Sequence, residues 1–316
     1  MSGPSSFYST PTAPHMGAKD YTQDLDLKDA ELASLLELAA DMKKYPRHYA
    51  NALQGRYMAL LFEKPSLRTR VTFELACKQL GADSVLSAGL IGEREPIKDI
   101  ARNLDRWVDC VVARVFSHRT ILDLAEWSSV PIVNALCDKY HPCQALADML
   151  TIQEKFGRFE GLTLSYVGDG NNVAHSLMLS AARLGMNVRL ACPDGYDPDA
   201  SILEEARAIA DSRGKHVTVT RDPHEAVAGA HAVYTDVWAS MGQESQAIER
   251  RAVFQPYQVN EALMAEAGKD AIFMHCLPAK RNQETTDAVM ESAQSVVFDQ
   301  AENRLHTQKA LLLMLL

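Results

Sequence analysis

Tyr57-Met58-Ala59-Leu60-Leu61-Phe62 is a short, almost unbroken apolar run, followed after three residues by Ser66-Leu67-Arg68-Thr69-Arg70 and the helix-like segment Val71 to Leu80. An apolar run of this length reads as a buried strand, so the stretch is strand, polar turn, helix: the unit from which parallel α/β sheets are built. The turn is also chemically specific. The first turn of a helix has unpaired N–H groups and the positive end of the dipole, and here two hydroxyls and two guanidiniums supplement it. A phosphate fits that site. A capped, salt-bridged surface helix fits the same five residues, and they alone do not decide.

The alternation continues outward from this stretch. Candidate strands are Tyr57–Phe62, Ser84–Ser87, Cys110–Arg114 and Pro131–Asn134, interleaved with helical patterns over Asp29–Lys44, Arg68–Leu80, Ile97–Trp107 and Leu122–Trp127. His141–Phe156 reads as a long amphipathic helix. Beyond it, strands at Leu162–Val167, Asn187–Cys192, His216–Thr220, Ala232–Thr235, Ile272–His275 and Val296–Phe298 alternate with helices again. The expectation is an α/β protein of two doubly wound parallel-sheet domains. The units are a disordered segment over 1–18, a first domain over 19–148, a second over 149–300, and a helix over 301–316 returning to the first.

Composition narrows the function. The 316 residues are 47% hydrophobic and 23% charged, an ordinary globular balance with room for a sizeable core. A net charge of −9 with dispersed acids and no long basic run disfavours nucleic acid or a membrane surface as partner. A small molecule is the expected partner. No run of roughly 18 apolar residues is present, and Met1–Ala18 has neither the basic start nor the apolar centre of a signal peptide, so the chain reads as cytoplasmic. Six cysteines without a C-x-x-C pair suit a reducing compartment.

Open α/β sheets bind ligands beyond the carboxyl ends of their strands, and the residues at those positions are polar here. They include Ser66–Arg70, Arg114 with His118, and Leu136 followed by His141-Pro142-Cys143-Gln144. The second half adds Gly168-Asp169-Gly170-Asn171-Asn172, Asp236 with Ser240-Met241-Gly242, and His275-Cys276-Leu277-Pro278. Two domains with such edges facing each other describe a cleft. Taken singly, Arg114 could pair with an acid, His141 could be a helix-start residue before a first-turn Pro142, and Cys276 and Met241 could be packing residues.

From about residue 22 to 316 these segments resemble the aspartate/ornithine carbamoyltransferase family, and its ornithine branch most closely. Ser66-Leu67-Arg68-Thr69-Arg70 matches the family's Ser-Thr-Arg-Thr-Arg, and His141-Pro142-Cys143-Gln144 matches His-Pro-x-Gln. Asp236-Val237-Trp238-Ala239-Ser240-Met241-Gly242 and His275-Cys276-Leu277-Pro278 match the two ornithine-type motifs, with Arg304 in the terminal Glu-Asn-Arg-Leu-His. The resemblance implies carbamoyl transfer from carbamoyl phosphate to the side-chain amine of L-ornithine, without cofactor or metal, in arginine biosynthesis, by a homotrimer or a multiple of it. It implies that Ser66, Arg68, Thr69 and Arg114 hold the phosphate, with Leu67 contributing its backbone N–H, and that Thr69, Arg114 and His141 polarise the carbonyl oxygen. Gln144, the backbone around Cys276 and Leu277, and Arg304 then take the carbamoyl amine or its surroundings. Asn172, Asp236, Ser240 and Met241 bind the amino-acid end of ornithine, with the backbone of Leu136 near its side-chain amine. Arg114, His141, Asp236 and Cys276 are the expected catalytic residues, Cys276 and Asp236 orienting the amine and favouring its neutral form.

Two departures bear on this. Leu67 replaces the usual Thr, and Leu90 stands where related enzymes often present Gln or His to a neighbouring subunit's phosphate, so the neighbour is expected to contribute less there. Carbamoyltransferases acting on N-acylated ornithine or putrescine are the alternatives within the family. A nicotinamide-dependent dehydrogenase is suggested by Gly168-Asp169-Gly170 after a strand, although position 173 is Val where a third glycine belongs. A metal hydrolase could use Cys137, His141, Cys143 and His275, which lack a familiar ligand spacing.

Overall fold

The computed structural model describes residues 13–239 and 246–316. Strands β1 (Tyr57–Phe62), β2 (Asp83–Ala88), β3 (Cys110–Arg114) and β4 (Ile132–Leu136) form a parallel sheet in the order β2-β1-β3-β4. Helices α1 (Asp29–Lys44), α2 (Leu67–Gln79), α3 (Ile97–Leu104) and α4 (His118–Trp127) accompany it. The connecting helix α5 (Pro142–Phe156) is buried from Pro142 through Ile152 and ends on Gly157, whose φ of 68° supplies the left-handed cap. The second sheet contains β5 (Thr163–Val167), β6 (Asn187–Ala191), β7 (Val217–Thr220), β8 (Ala232–Thr235) and β9 (Ile272–His275), ordered β7-β6-β5-β8-β9 and also parallel. Around it lie α6 (Asn172–Arg183), α7 (Ala200–Ser212), α8 (Pro223–Val227), α9 (Ala247–Phe254), α10 (Glu261–Met264) and α11 (Asp287–Met290). The last helix, α12 (Val297–Leu315), packs on α5, α1 and α2, closing the chain against the first sheet's helices.

Unbroken apolar runs become inner strands because both faces are covered: β3 is buried up to Arg114, and β4, β5, β8 and β9 throughout. The edge strand β2, which alternates Val85 and Leu86 with serines, is largely exposed. Strand order reverses between β1 and β3 in one sheet and between β5 and β8 in the other, and a ligand crevice opens at such a point. Register brings the strand ends level there. Phe62 pairs with Arg114 and Val167 with Thr235, so the loops that follow leave their sheets side by side.

The fold class, the two parallel sheets and the returning helix match the expectation from sequence. Val296–Phe298, expected as a strand, is instead the entry to α12. Only a bridge between Ser295 and Phe273 runs beside β9 before the Gln300 N–H turns back to the Val296 carbonyl and the helix begins. Phe298 is 65% exposed, so the segment has no second apolar face to bury as a strand. The helix over Ile97–Trp107 stops at Leu104, and α4 begins four residues earlier than Leu122, at His118 behind a Ser117 cap. Within the segment expected to be disordered, residues 13–18 include firm contacts: the Met16 N–H donates to the Met314 carbonyl, and that of Gly17 to Glu31 Oε1. Residues 1–12 lie outside the described residues.

Candidate active site

A cavity of about 550 Å³ opens where the carboxyl ends of the two sheets face each other. Its first wall is the start of α2. Ser66 is the helix N-cap in extended conformation, yet its side chain makes no capping bond, and Arg70 is the first residue whose N–H turns back into the helix, to the Ser66 carbonyl. The N–H groups of Leu67, Arg68 and Thr69 are therefore the free donors of that turn. Ser66, Arg68 and Thr69 line the cavity. Thr69 Oγ1 accepts from Arg114 Nη1 at 3.3 Å and from Arg304 Nη2 at 2.8 Å, which gathers the end of β3 and the middle of α12 onto the same helix start.

Among the described residues none of Arg68, Arg114 and Arg304 has a carboxylate within salt-bridge distance, and the Nε atoms of Arg114 and Arg304 are buried without a partner. Burial lowers the pKa of each, that of Arg114 to about 10 with further help from Arg304; a guanidinium nonetheless keeps its charge at neutral pH. Three cations held together without an anion form a site that requires one. His141 stands beside them as the N-cap of α5, with Pro142 in the first helical position. Burial, then the charges of Arg304 and Arg114, push its pKa well below the usual histidine value, and its Nδ1 has no partner. The ring is neutral and free to engage a ligand.

The opposite wall is acidic. Asp236, immediately after β8, accepts the Cys276 thiol on Oδ1 at 3.0 Å and Asn171 Nδ2 on its other oxygen at 2.9 Å. Burial and the Asp236 charge hold the Cys276 pKa well above the ordinary thiol value, so the sulfur carries its proton and donates it. Asn172 Nδ2 donates to the Cys137 carbonyl at 2.6 Å, tying the second sheet's loop to the first's. Leu277 has a φ of 57°, uncommon for a residue with a side chain; its N–H donates to His275 Nδ1 at 2.9 Å. That bond fixes the proton of His275 on Nε2, which faces Glu284 Oε1 at 3.2 Å, with both side chains fully buried.

Ser66, Arg68, Thr69, Arg114, Leu136, His141, Asn172, Asp236, Cys276, Leu277 and Arg304 thus share one cavity. Two expected residues do not line it. The Leu67 side chain, 75% exposed, lies in an outer groove with Pro65, Val71 and Leu86. Gln144 is buried one helical turn beyond His141 and gives its amide to Asp148 Oδ1 at 2.8 Å. Ser240 and Met241 lie outside the described residues. The structure adds Asn171, which caps α6 and holds Asp236, and Asp169, paired with the buried Arg250 whose guanidinium also reaches the Trp238 carbonyl. Both belong to the loop after β5, and the strand-end rule marked that loop without separating its members. Gly170 owes its identity to packing: a Cβ there would strike the backbone of Asp197 and Pro198. That close approach accounts for a glycine that had suggested a dinucleotide. The cysteines and histidines considered as metal ligands are not gathered. Among the described residues the potential ligand atoms that cluster are those of Asp236, His275 and Cys276, which already bond one another, Glu284, Asn171 or the Leu277 N–H.

The carbamoyl-phosphate-binding domain model of the aspartate/ornithine carbamoyltransferases matches residues 19–154, and the model of their aspartate/ornithine-binding domain matches residues 160–315. The chain belongs to the aspartate/ornithine carbamoyltransferase family. It is 54% identical over 284 residues to the ornithine carbamoyltransferase of Methanothermobacter thermautotrophicus, covering 89% of this chain and 94% of that one. Against the Anoxybacillus flavithermus enzyme of the same name it is 48% identical over 303 residues, covering 94% and 96%. The solved structure of ornithine carbamoyltransferase from Pyrococcus furiosus superimposes with a TM-score of 0.91 at 46% identity, covering 94% of this chain and 97% of that one. The two carbamoyltransferase models meet at the end of α5 and its Gly157 cap, where the chain crosses from the cationic wall to the acidic one.

Proposed function

We propose that this carbamoyltransferase moves the carbamoyl group of carbamoyl phosphate to the side-chain amine of L-ornithine, releasing L-citrulline and phosphate. One observation carries the reading: Arg68, Arg114 and Arg304, without carboxylate partners among the described residues, face Asp236 and Cys276 across one cavity. The open N–H groups of α2, with Ser66, Arg68, Thr69 and Arg114, hold the phosphate. The neutral His141, with Thr69 and Arg114, donates to the carbonyl oxygen, where negative charge grows as the amine attacks. Attack forms the new C–N bond, collapse breaks the carbon–oxygen bond to phosphate, and the proton lost by the amine leaves on hydrogen phosphate. Arginines already fixed around that phosphate stabilise its departure without reorganising. The carbonyls around Cys276 and Leu277 receive the carbamoyl amine, with Gln144 behind them tied to Asp148.

Asp236 and Asn172 on the acidic wall take the amino-acid end of ornithine, and the family resemblance assigns Ser240 and Met241 to the same task. The Leu136 carbonyl and the protonated Cys276 lie toward its side-chain amine and select the neutral amine as nucleophile. The division into a carbamoyl-phosphate unit at 19–148 and an ornithine unit at 149–300 belongs to this proposal. So do arginine biosynthesis, a cytoplasmic location and a homotrimer, for which exposed Leu67, Val71, Leu75, Val85 and Leu90 offer apolar surface. Among the described residues no helix is long and apolar enough to cross a membrane. Citrulline formation from carbamoyl phosphate with ornithine, but not with N-acetylornithine, putrescine or aspartate, is the expected assay result. Carbamoylation of another acceptor in preference would replace the substrate assignment.

A further inference from the structure

His141 must keep its position within a fraction of an ångström to polarise a carbonyl oxygen, and its carbonyl is held by the first turn of α5. It precedes the first turn of α5, and its backbone N–H points away from that helix to Ser176 Oγ, 3.0 Å distant on α6. An N–H can only donate, so the serine oxygen is the acceptor. The single hydroxyl hydrogen of Ser176 must then go elsewhere, and it goes to Asp24 Oδ2 at 2.6 Å. The other Asp24 oxygen accepts from Ser180 Oγ at 3.3 Å, and the Asp24 carbonyl accepts from Arg183 Nη1 at 2.7 Å. Asp24, Ser176, Ser180 and Arg183 are all at least 95% buried, so no solvent competes for these bonds. Every proton in the chain has one direction.

We propose that Asp24 and Ser176 are positioning residues for His141: the carboxylate locks the serine hydroxyl as its donor, and the locked oxygen anchors the His141 backbone. The chain joins three separate parts of the sequence. Asp24 precedes α1, Ser176 and Ser180 belong to α6 beside the second sheet, and His141 starts the helix that connects the two sheets. Without Asp24 the hydroxyl rotor is free, and without Ser176 the His141 N–H is buried with no acceptor. Either change loosens the group that meets the carbonyl oxygen while leaving the phosphate cradle and the acidic wall in place. Ser180 bonds the same carboxyl group without touching His141, and so separates positioning from stability.

This proposal rests on the carbamoyl-transfer reading, and wild-type citrulline formation tests that reading by itself. For Asp24→Ala and Ser176→Ala the expected result is a fall in kcat of about tenfold, with KM for carbamoyl phosphate and for ornithine within about twofold. The double variant should be no slower than the slower single one, because both act through one chain. Ser180→Ala, which removes a bond to the same carboxyl group, should keep its kcat. Unchanged kcat in either single variant, multiplicative losses in the double, or an equal loss of kcat in Ser180→Ala overturns the assignment. Amide hydrogen exchange in peptides containing His141 gives a readout that needs no turnover. Faster exchange in Asp24→Ala and Ser176→Ala but not in Ser180→Ala supports the chain, and equal exchange in all four proteins overturns it.

Discussion

Cys276 keeps its proton because a buried thiol beside a carboxylate gains nothing by ionising, and that proton is what Asp236 accepts. The sulfur lone pairs are then left for an amine hydrogen, and an uncharged thiol adds no second negative charge beside Asp236 that would hold the amine as an ammonium ion. Cys276→Ser should raise KM for ornithine and lower kcat, together by about tenfold or more, the scale of one altered hydrogen bond to a charged group. Calorimetric affinity for carbamoyl phosphate should stay within about twofold. Unchanged ornithine kinetics would remove Cys276 from the acceptor site. Leu67 has the opposite standing. Its side chain points into the outer groove, so in the proposed site the position offers the phosphate only its backbone N–H, and Leu67→Thr should leave both KM values and kcat within about twofold, as for a surface change. A larger loss for carbamoyl phosphate would mean that the leucine side chain shapes the phosphate cradle.

The ends of β1 and β3 carry the cationic wall, and Glu63 joins them. Its own N–H donates to the Arg114 carbonyl at 3.0 Å; its carboxylate accepts the Phe116 N–H at 2.6 Å and the Ile91 N–H at 3.1 Å. One residue of the neighbouring strand thus holds the backbone at and just after Arg114. Glu63→Ala removes the acceptors of two backbone donors and should raise KM for carbamoyl phosphate by about tenfold, while KM for ornithine at saturating carbamoyl phosphate changes little. Equal increases in both would make Glu63 a general structural residue. Little of this is visible in sequence. Tyr57–Phe62, Cys110–Arg114, Ala232–Thr235 and Ile272–His275 were legible to the residue because unbroken apolar runs ending at polar residues have few alternatives. Most residues lining the cavity were marked in the same way, since strand ends are where a parallel sheet places its chemistry, whereas Arg304, in the middle of α12, was marked only by the family resemblance. Long-range polar partners are another matter. Asp169 with Arg250, and His275 with Glu284, join residues that no local periodicity relates. Arg70 could not be told from Arg68 by composition either: its Nε pairs with Glu74 at 2.7 Å on the outer face, while Arg68 turns inward. Val296–Phe298 misled for the reverse reason, since β-branched and aromatic residues in sequence imitate a strand although the backbone continues into α12.

At the scale of the molecule, the helices between the two sheets are polar inside, and that has a pH signature. Asp148 on α5 is fully buried; its Oδ1 accepts from Gln144 Nε2 at 2.8 Å and from Gln300 Nε2 on α12 at 2.6 Å, while Oδ2 has no partner. Burial pushes its pKa up from 3.8 to about 7 despite those bonds and the nearby Arg304 charge, and burial likewise raises Asp24 to about 6. A raised carboxyl pKa means that the folded protein holds its proton more tightly than the unfolded chain. Stability from this source is present below pH 3.8 and is lost as pH rises through the folded value, so it declines between about pH 4 and 7. For Asp148 the displacement from 3.8 to about 7 corresponds to roughly 4 kcal/mol at full effect. Asp148→Asn keeps an acceptor oxygen for the two glutamines and removes the ionisation. It should therefore be more stable than the parent in urea unfolding at pH 8, and its stability should fall less steeply from pH 5 to pH 8. A steeper fall in the variant, or a parent whose stability rises across that interval with no flattening in Asp148→Asn, would show that the α5–α12 carboxyl is ionised in the folded protein and held by Arg304.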